Sequence, residues 1–437
     1  MWRRLCCGRS FISGQRILFT RSGNAEVPTE RRCLLYVRSF CRKSSDVKMA
    51  SYEIDVRSDT VCHPTKEMRD AMYFAPLGDA VFEDDPTVHE LERKMAKLLG
   101  KEAGLFVPSG TMGNLICMLY HGSFRGAEVI LGDKSHIFVY EQGGLSQLGG
   151  ILAHPVRTRG DGTFDLEEVK AAFHPDGEDP CGHFTTTAAV AIENTHNKKG
   201  GLALPLKWID ELGELCASLG VPIHCDGARI LNAALTHKEE PARLVKHCAT
   251  VSVCLSKGVG APVGSVIVGS KEFRAKAILL RKVLGGGMRQ AGVLAAAGIV
   301  GLNTYPRMKR DHDNAKRVAE ALSKVGCSKV KILTSQLMTN LLMIETLDEL
   351  TSDYLVDRLA QVNPSEVQAL GGDTIKIRAG TMSPKHLRLA FHVDIDDHRI
   401  VDRIIKKISY VLREVQNRKD PKEDEEPCEQ HAPVILD

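Results

Sequence analysis

The chain has 437 residues, of which 43% are hydrophobic and 26% charged, enough apolar material for a sizeable core and enough length for two or three domains. Its net charge of +3 is uneven: residues 1–50 carry eleven basic and three acidic residues, a contribution of +8 that leaves −5 for the rest. A mildly acidic body argues against nucleic acid as a partner, and the apolar run Val293 to Leu302 is far short of the ~20 residues that cross a bilayer, so neither a membrane span nor a membrane partner is expected.

From Met1 to Ala25 there is no acidic residue, while Arg3, Arg4, Arg9, Arg16 and Arg21 are interleaved with Leu5, Phe11, Ile12, Ile17, Leu18 and Phe19. This pattern predicts a disordered mitochondrial presequence over residues 1–48, with Met49 as an alternative start that yields a cytosolic form. Thirteen cysteines show no paired metal-ligand spacing, so they are read as reduced thiols and no metal site is expected.

Ile54 to Thr60 reads as extended. Asp85 then caps a helix with Pro86 in its first turn, which runs to Gly100 with Val88, Leu91, Met95, Leu98 and Leu99 at helical spacing. Seven short apolar strands follow, separated by helical stretches: Gly104–Val107, Val129–Leu131, Ile151–His154, Ala188–Glu193, Val221–Cys225, Thr250–Leu255 and Ser265–Val268. Such alternation predicts an α/β fold with a mainly parallel seven-stranded sheet covered by helices, in a large domain spanning 49–305. A smaller α+β C-terminal domain is expected over 306–416, ending in a helix from Asp397 to Gln416 with an apolar face of Ile400, Val401, Ile404, Ile405, Ile408, Val411, Leu412 and Val415. Residues 417–437, charged and proline-containing, are expected to be a disordered tail.

In a parallel sheet the ligand site lies beyond the carboxyl ends of the strands, and two of those ends carry chemistry. The strand ending at Cys225 runs into Asp226, and the strand ending at Leu255 runs into Ser256 and Lys257. An amine and an acid on one sheet edge suit pyridoxal phosphate: the lysine forms an imine with its aldehyde and the acid keeps its ring nitrogen protonated, so the ring accepts electrons from a substrate carbanion. The strand ending at Val107 leads through Ser109, Gly110 and Thr111 into a helix start, whose free N–H groups offer a phosphate cradle.

With these residues in place, the chain resembles the threonine aldolases of the pyridoxal-phosphate-dependent aspartate-aminotransferase-like fold. The resemblance runs from about Ile54 to Ile400 and rests on Arg57–Thr60, Gly78–Thr87, Ser109–Asn114, Glu193–Asn197, His224–Arg229, Leu255–Gly260 and Gly285–Gln290. It implies retro-aldol cleavage of threonine or allo-threonine to glycine and acetaldehyde, with Lys257, Asp226, His136 and His196 as catalytic residues. His136 is the implied ring-stacking histidine, and either it or His196 is the general base. Ser58, Arg229 and Arg388 are implied around the substrate carboxylate, with Arg378 a competing alignment for Arg388. Arg289 is implied as a phosphate ligand offered to a neighbouring subunit, within a homotetramer. β-Elimination, transamination and a non-catalytic homologue are the alternatives on this fold. One departure from the family is a lengthened loop over Phe173 to Thr187, expected at the periphery.

Overall fold

The computed structural model describes residues 51–177 and 179–418; the expected presequence, Met49 and the tail beyond Arg418 lie outside the described residues. Among the described residues there are thirteen strands, β1 to β13 in chain order. The large sheet uses β2 (Ala103–Val107), β3 (Ala127–Gly132), β4 (Leu152–Val156), β5 (Thr186–Glu193), β6 (Ile223–Asp226), β7 (Cys248–Cys254) and β8 (Ser265–Gly269) in the order β2-β8-β7-β6-β5-β3-β4. All seven expected strands are present. The pairs among β4, β3, β5, β6 and β7 are parallel, and β8 alone runs against its neighbours β7 and β2. Consequently the carboxyl ends of β2, β3, β5, β6 and β7 lie on one edge, where Ser109, His136, Asp226 and Lys257 follow.

Strands covered on both faces are largely apolar. β3 is buried at every position, and its Val129, Ile130 and Leu131 are wholly inaccessible. β4 closes the row as an edge strand and is only partly buried. The helix Pro86–Leu98 forms as expected: Asp85 accepts from the N–H groups of Thr87 and Val88, and the face carrying Val88, Leu91 and Met95 is buried.

A second layer holds a four-stranded antiparallel sheet, β12 (Gly380–Ser383), β13 (His386–Ala390), β10 (Leu341–Thr346) and β9 (Val330–Ile332), and a parallel pair, β1 (Ser51–Asp55) with β11 (Thr374–Arg378). It has its own hydrophobic core, in which Ile54 and Val56 join Ile375, Ile377, Leu387 and Leu389. The expected division by sequence order, with residues 49–305 in one domain, therefore misplaces 51–56: their hydrogen bonds and apolar side chains go to the C-terminal layer. The last helix, His398–Asn417, buries Val401, Ile404, Ile408, Val411, Leu412 and Val415, with Ile400 and Ile405 at the margin. Among the described residues no helix is long and apolar enough to cross a membrane.

Ile404 is fully buried in this second core. Ile404→Ala should cost about 2–5 kcal/mol through lost burial and a residual cavity, measured as a lower urea midpoint; a change below ~1 kcal/mol would mean the helix does not pack as described.

Candidate active site

The site begins with the way one helix leans on the sheet. β2 ends at Val107, Ser109 caps the helix Gly110–His121 by accepting from the Met112 N–H at 3.2 Å, and the helix start lies against β7 and β8. A Cβ on Gly110 would come within 2.8 Å of Cys254 Sγ, and one on Gly113 within 2.7 Å of Ser252 Oγ. Glycine is needed at both positions for this close approach. The approach aims the first turn, whose N–H groups have no partner inside the helix, at a cavity of about 340 Å³.

One turn further on, the same helix supplies Asn114. Its Nδ2 donates to Asp226 Oδ2 at 3.1 Å and to Glu141 Oε1 at 2.7 Å. Because both partners are carboxylates, the amide orientation follows, and Oδ1 must accept from His224 Nε2 at 3.1 Å. His224 Nδ1 then accepts from Thr250 Oγ1 at 2.9 Å. Burial lowers His224 to about 3, so it stays neutral as this chain of bonds requires. Asp226 is held a second time by the Ala228 N–H at 3.1 Å on Oδ1.

His136 opens the short helix His136–Val139 after β3. Its Nδ1 lies 2.8 Å from Glu141 Oε1, and its backbone N–H donates to Glu193 Oε2 at 2.7 Å. Burial favours the neutral ring, but the hydrogen bond to Glu141 and the charges of Asp226 and Glu141 outweigh it and raise the His136 pKa. Burial, assisted by the nearby Asp226 charge, raises Glu141 as well. Lys257, half-buried just beyond β7, lines the same cavity as Asp226, His136, Ser109, Gly110 and Thr111. Of the expected cofactor residues, all but Arg289 are thus brought together, with Asn114 and Glu141 added. Asn114 stood within the Ser109–Asn114 motif; Glu141 had no sequence signal.

Ser58, Arg229 and Arg388 also converge, but in a different way from that expected. Ser58 caps the turn Asp59–Val61, and Thr60 of that turn reaches the cavity. Arg229 directs Nε and Nη2 at the two oxygens of buried Asp59, both at 2.7 Å. Asn197 Oδ1 accepts from Arg388 Nη1 at 2.7 Å and from Arg229 Nη1 at 3.3 Å. Although burial opposes ionisation, the Arg229 guanidinium holds Asp59 far below the usual carboxylate range. Arg229, expected to meet a substrate carboxylate, is therefore bound bidentately by a carboxylate of its own chain. Arg378 is exposed on β11 and pairs with Glu53, while Arg388 is fully buried and meets Arg229 at Asn197.

Like Ser58, Arg229 and Arg388, two other expected residues do not line the cavity. His196 is buried but does not line the cavity; its ring packs under Gly162, where a Cβ would lie 3.5 Å from His196 Cδ2. Arg289 is half exposed, donates to Asp79 Oδ2 at 2.9 Å and lies 5.5 Å over the Phe82 ring. It does not line the cavity of its own chain.

The sequence matches the family described as Beta-eliminating lyase over residues 55–346. It is similar to Low-specificity L-threonine aldolase 1 of Arabidopsis thaliana, with 44% identity over 335 residues that cover 76% of this chain and 91% of that one. Low specificity L-threonine aldolase of Escherichia coli (strain K12) is 40% identical over 321 residues, 72% of this chain and 92% of that one. Among solved structures, Leishmania major threonine aldolase superposes with a TM-score of 0.63 at 18% identity, covering 83% of this chain and 99% of that chain, a likeness of fold.

Removing the Asp59 charge leaves Arg229 buried without its counterion, so Asp59→Asn should lose about 3–5 kcal/mol near neutral pH. Asp59 titrates lower folded than unfolded, so its contribution is complete above its ordinary value of 3.8 and is lost as pH falls below that. Urea midpoints of wild type and variant should accordingly converge on acidification below about pH 4; a gap that stays constant would contradict the pairing.

Proposed function

This chain belongs to the beta-eliminating lyase family and, within it, to the threonine aldolases, and from that premise we propose that it uses pyridoxal phosphate to cleave L-threonine and L-allo-threonine to glycine and acetaldehyde. The observation that carries this reading is the single cavity lined by Lys257, Asp226 and the helix start at Ser109–Thr111. Its donor set suits the cofactor at each pole: an amine for the aldehyde, an anion for the ring nitrogen, free backbone N–H groups for the phosphate and the His136 imidazole for a ring face. When bound, pyridoxal phosphate supplies the electron sink into which the substrate's Cα–Cβ bond electrons pass.

The chain's own residues do the rest. Asp226 would hold the proton at the ring nitrogen, and Asn114 and the Ala228 N–H fix its two oxygens at the cavity wall. Cleavage also needs a base for the β-hydroxyl proton. His136 is the imidazole that lines the cavity, and with Nδ1 engaged by Glu141, Nε2 is the atom offered to substrate. His196, packed away from the cavity, is assigned a positioning role. Arg388 and Ser58 are assigned to the substrate carboxylate, with Arg229 holding Asp59 and Asn197 in place behind them.

Arg289 is assigned to a neighbouring subunit's phosphate, in a homotetramer. Its half-exposed side chain supports this, as do Tyr73, Phe74, Phe82 and Val283, large apolar side chains strongly exposed on the single chain. Mitochondrial delivery is proposed from the basic, acid-free residues 1–25.

The direct test is a product assay with each diastereomer. Wild type should release glycine and acetaldehyde, and Lys257→Ala should lose the cofactor's visible absorbance and at least ~1000-fold in turnover. Ammonia and a keto acid as products, or glycine release by Lys257→Ala, would refute the reading.

A base with a raised pKa is free to accept a proton only at higher pH. The acidic limb of kcat/KM should therefore fall above the ordinary imidazole value of 6.5, and Glu141→Gln should move it to lower pH. A limb unmoved by that substitution would point to another group as base.

A further inference from the structure

We propose that Glu128, His154 and His174 form a zinc site at the opposite end of the large sheet from the cofactor cavity. Glu128 is the second residue of β3. Four residue steps of ~3.3 Å separate it from Gly132 at the site end of that strand, a distance of roughly 13 Å. The proposal is thus independent of the cofactor reading.

Glu128 poses the physical problem. Its side chain is only 1% exposed, and its two oxygens are surrounded by hydroxyls and imidazoles. Thr185 Oγ1 donates to Oε2 at 2.6 Å and Thr187 Oγ1 to Oε1 at 2.8 Å. A buried anion calls for a cation, and among the described residues no lysine or arginine pairs with it. Two imidazoles approach instead, His154 Nδ1 at 3.2 Å from Oε2 and His174 Nδ1 at 3.1 Å from Oε1.

The His174 contact is poor as a hydrogen bond and suitable as a shared ligand set. Its Nδ1 is buried and forms no hydrogen bond among the described residues, despite its closeness to the carboxylate. Ligand atoms from all three residues lie within 4.8 Å of one another. Zinc bonds of about 2.0–2.2 Å in a tetrahedron place ligand atoms roughly 3.3–3.5 Å apart, and the two carboxylate–imidazole separations are already close to that. Two histidines and one glutamate are a donor set that zinc takes with water as fourth ligand. The histidine side chains are 33% and 27% exposed, which leaves an open side for that water.

The surroundings hold the ligands as such a site requires. The two threonine hydroxyls orient the carboxylate. His174 exchanges two hydrogen bonds with Thr187, its N–H to Oγ1 and its carbonyl from the Thr187 N–H, both at 2.9 Å. Phe184 stacks on the His174 ring at 4.9 Å. His174, Phe184, Thr185 and Thr187 all belong to the lengthened loop, so the ion would tie that loop to edge strand β4 through His154. A nearby trio, Asp179, Cys181 and His183, is different: Asp179 already accepts backbone N–H groups from Cys181, His183 and Phe184 and forms a turn.

The test uses the full-length, cofactor-loaded protein stripped by a chelator and titrated with zinc sulfate. Wild type should retain one zinc per chain more than His154→Ala or His174→Ala, and each variant should bind at that site at least ~10-fold more weakly. Zinc should also raise the melting temperature of wild type and not of the variants. Glu128→Gln, nearly identical in shape, should lose the zinc and keep the cofactor absorbance. Equal zinc content and affinity in wild type and all three variants would overturn the proposal.

Discussion

Two carboxylates, Asp226 and Glu141, are buried beside each other at the carboxyl edge of the sheet, and one side-chain amide, Asn114, donates to both. Like charges in a low-dielectric setting repel strongly. Their coexistence therefore depends on that amide, on the Ala228 N–H and on the imidazole of His136. Asn114 can reach them only because Gly110 and Gly113 let its helix lie directly on β7 and β8. A single steric allowance thus sets the acid, the helix start and the imidazole of one cavity.

On the other side of the cavity lies a second charge constraint. Asp59 comes from the N-terminal segment, Arg229 from the loop after β6 and Arg388 from β13, and Asn197 accepts from both arginines. Four distant stretches of chain meet around one ionised carboxylate. Because β1 and β13 belong to the second layer while β6 belongs to the first, this cluster also ties the two layers together where substrate is proposed to bind. The proposed substrate contacts and the interlayer packing thus involve the same side chains.

Much of the architecture was legible before any coordinates. The seven strands of the large sheet read as short apolar runs because a strand covered on both faces admits little else, and the final helix showed its buried stripe for the same reason of spacing. Lys257 and Asp226 were legible because each immediately follows an apolar strand, and the topology of a parallel sheet sends such residues to one edge. Placement of the first strand was not legible: Ser51–Asp55 pairs with a strand more than 300 residues away, and pairing partners leave no local trace.

The sequence by itself determined which elements form and which residue types stand at the strand ends, since periodicity, caps and glycine positions act over a few neighbouring residues. Only the tertiary structure decided how charges are shared. It turned Arg229 toward Asp59, withdrew His196 under Gly162, gave His136 its partner Glu141 and gathered Glu128, His154 and His174 from three segments. Coulombic and hydrogen-bonding partners are chosen by distance in space, and that distance is set by packing after the local elements have formed.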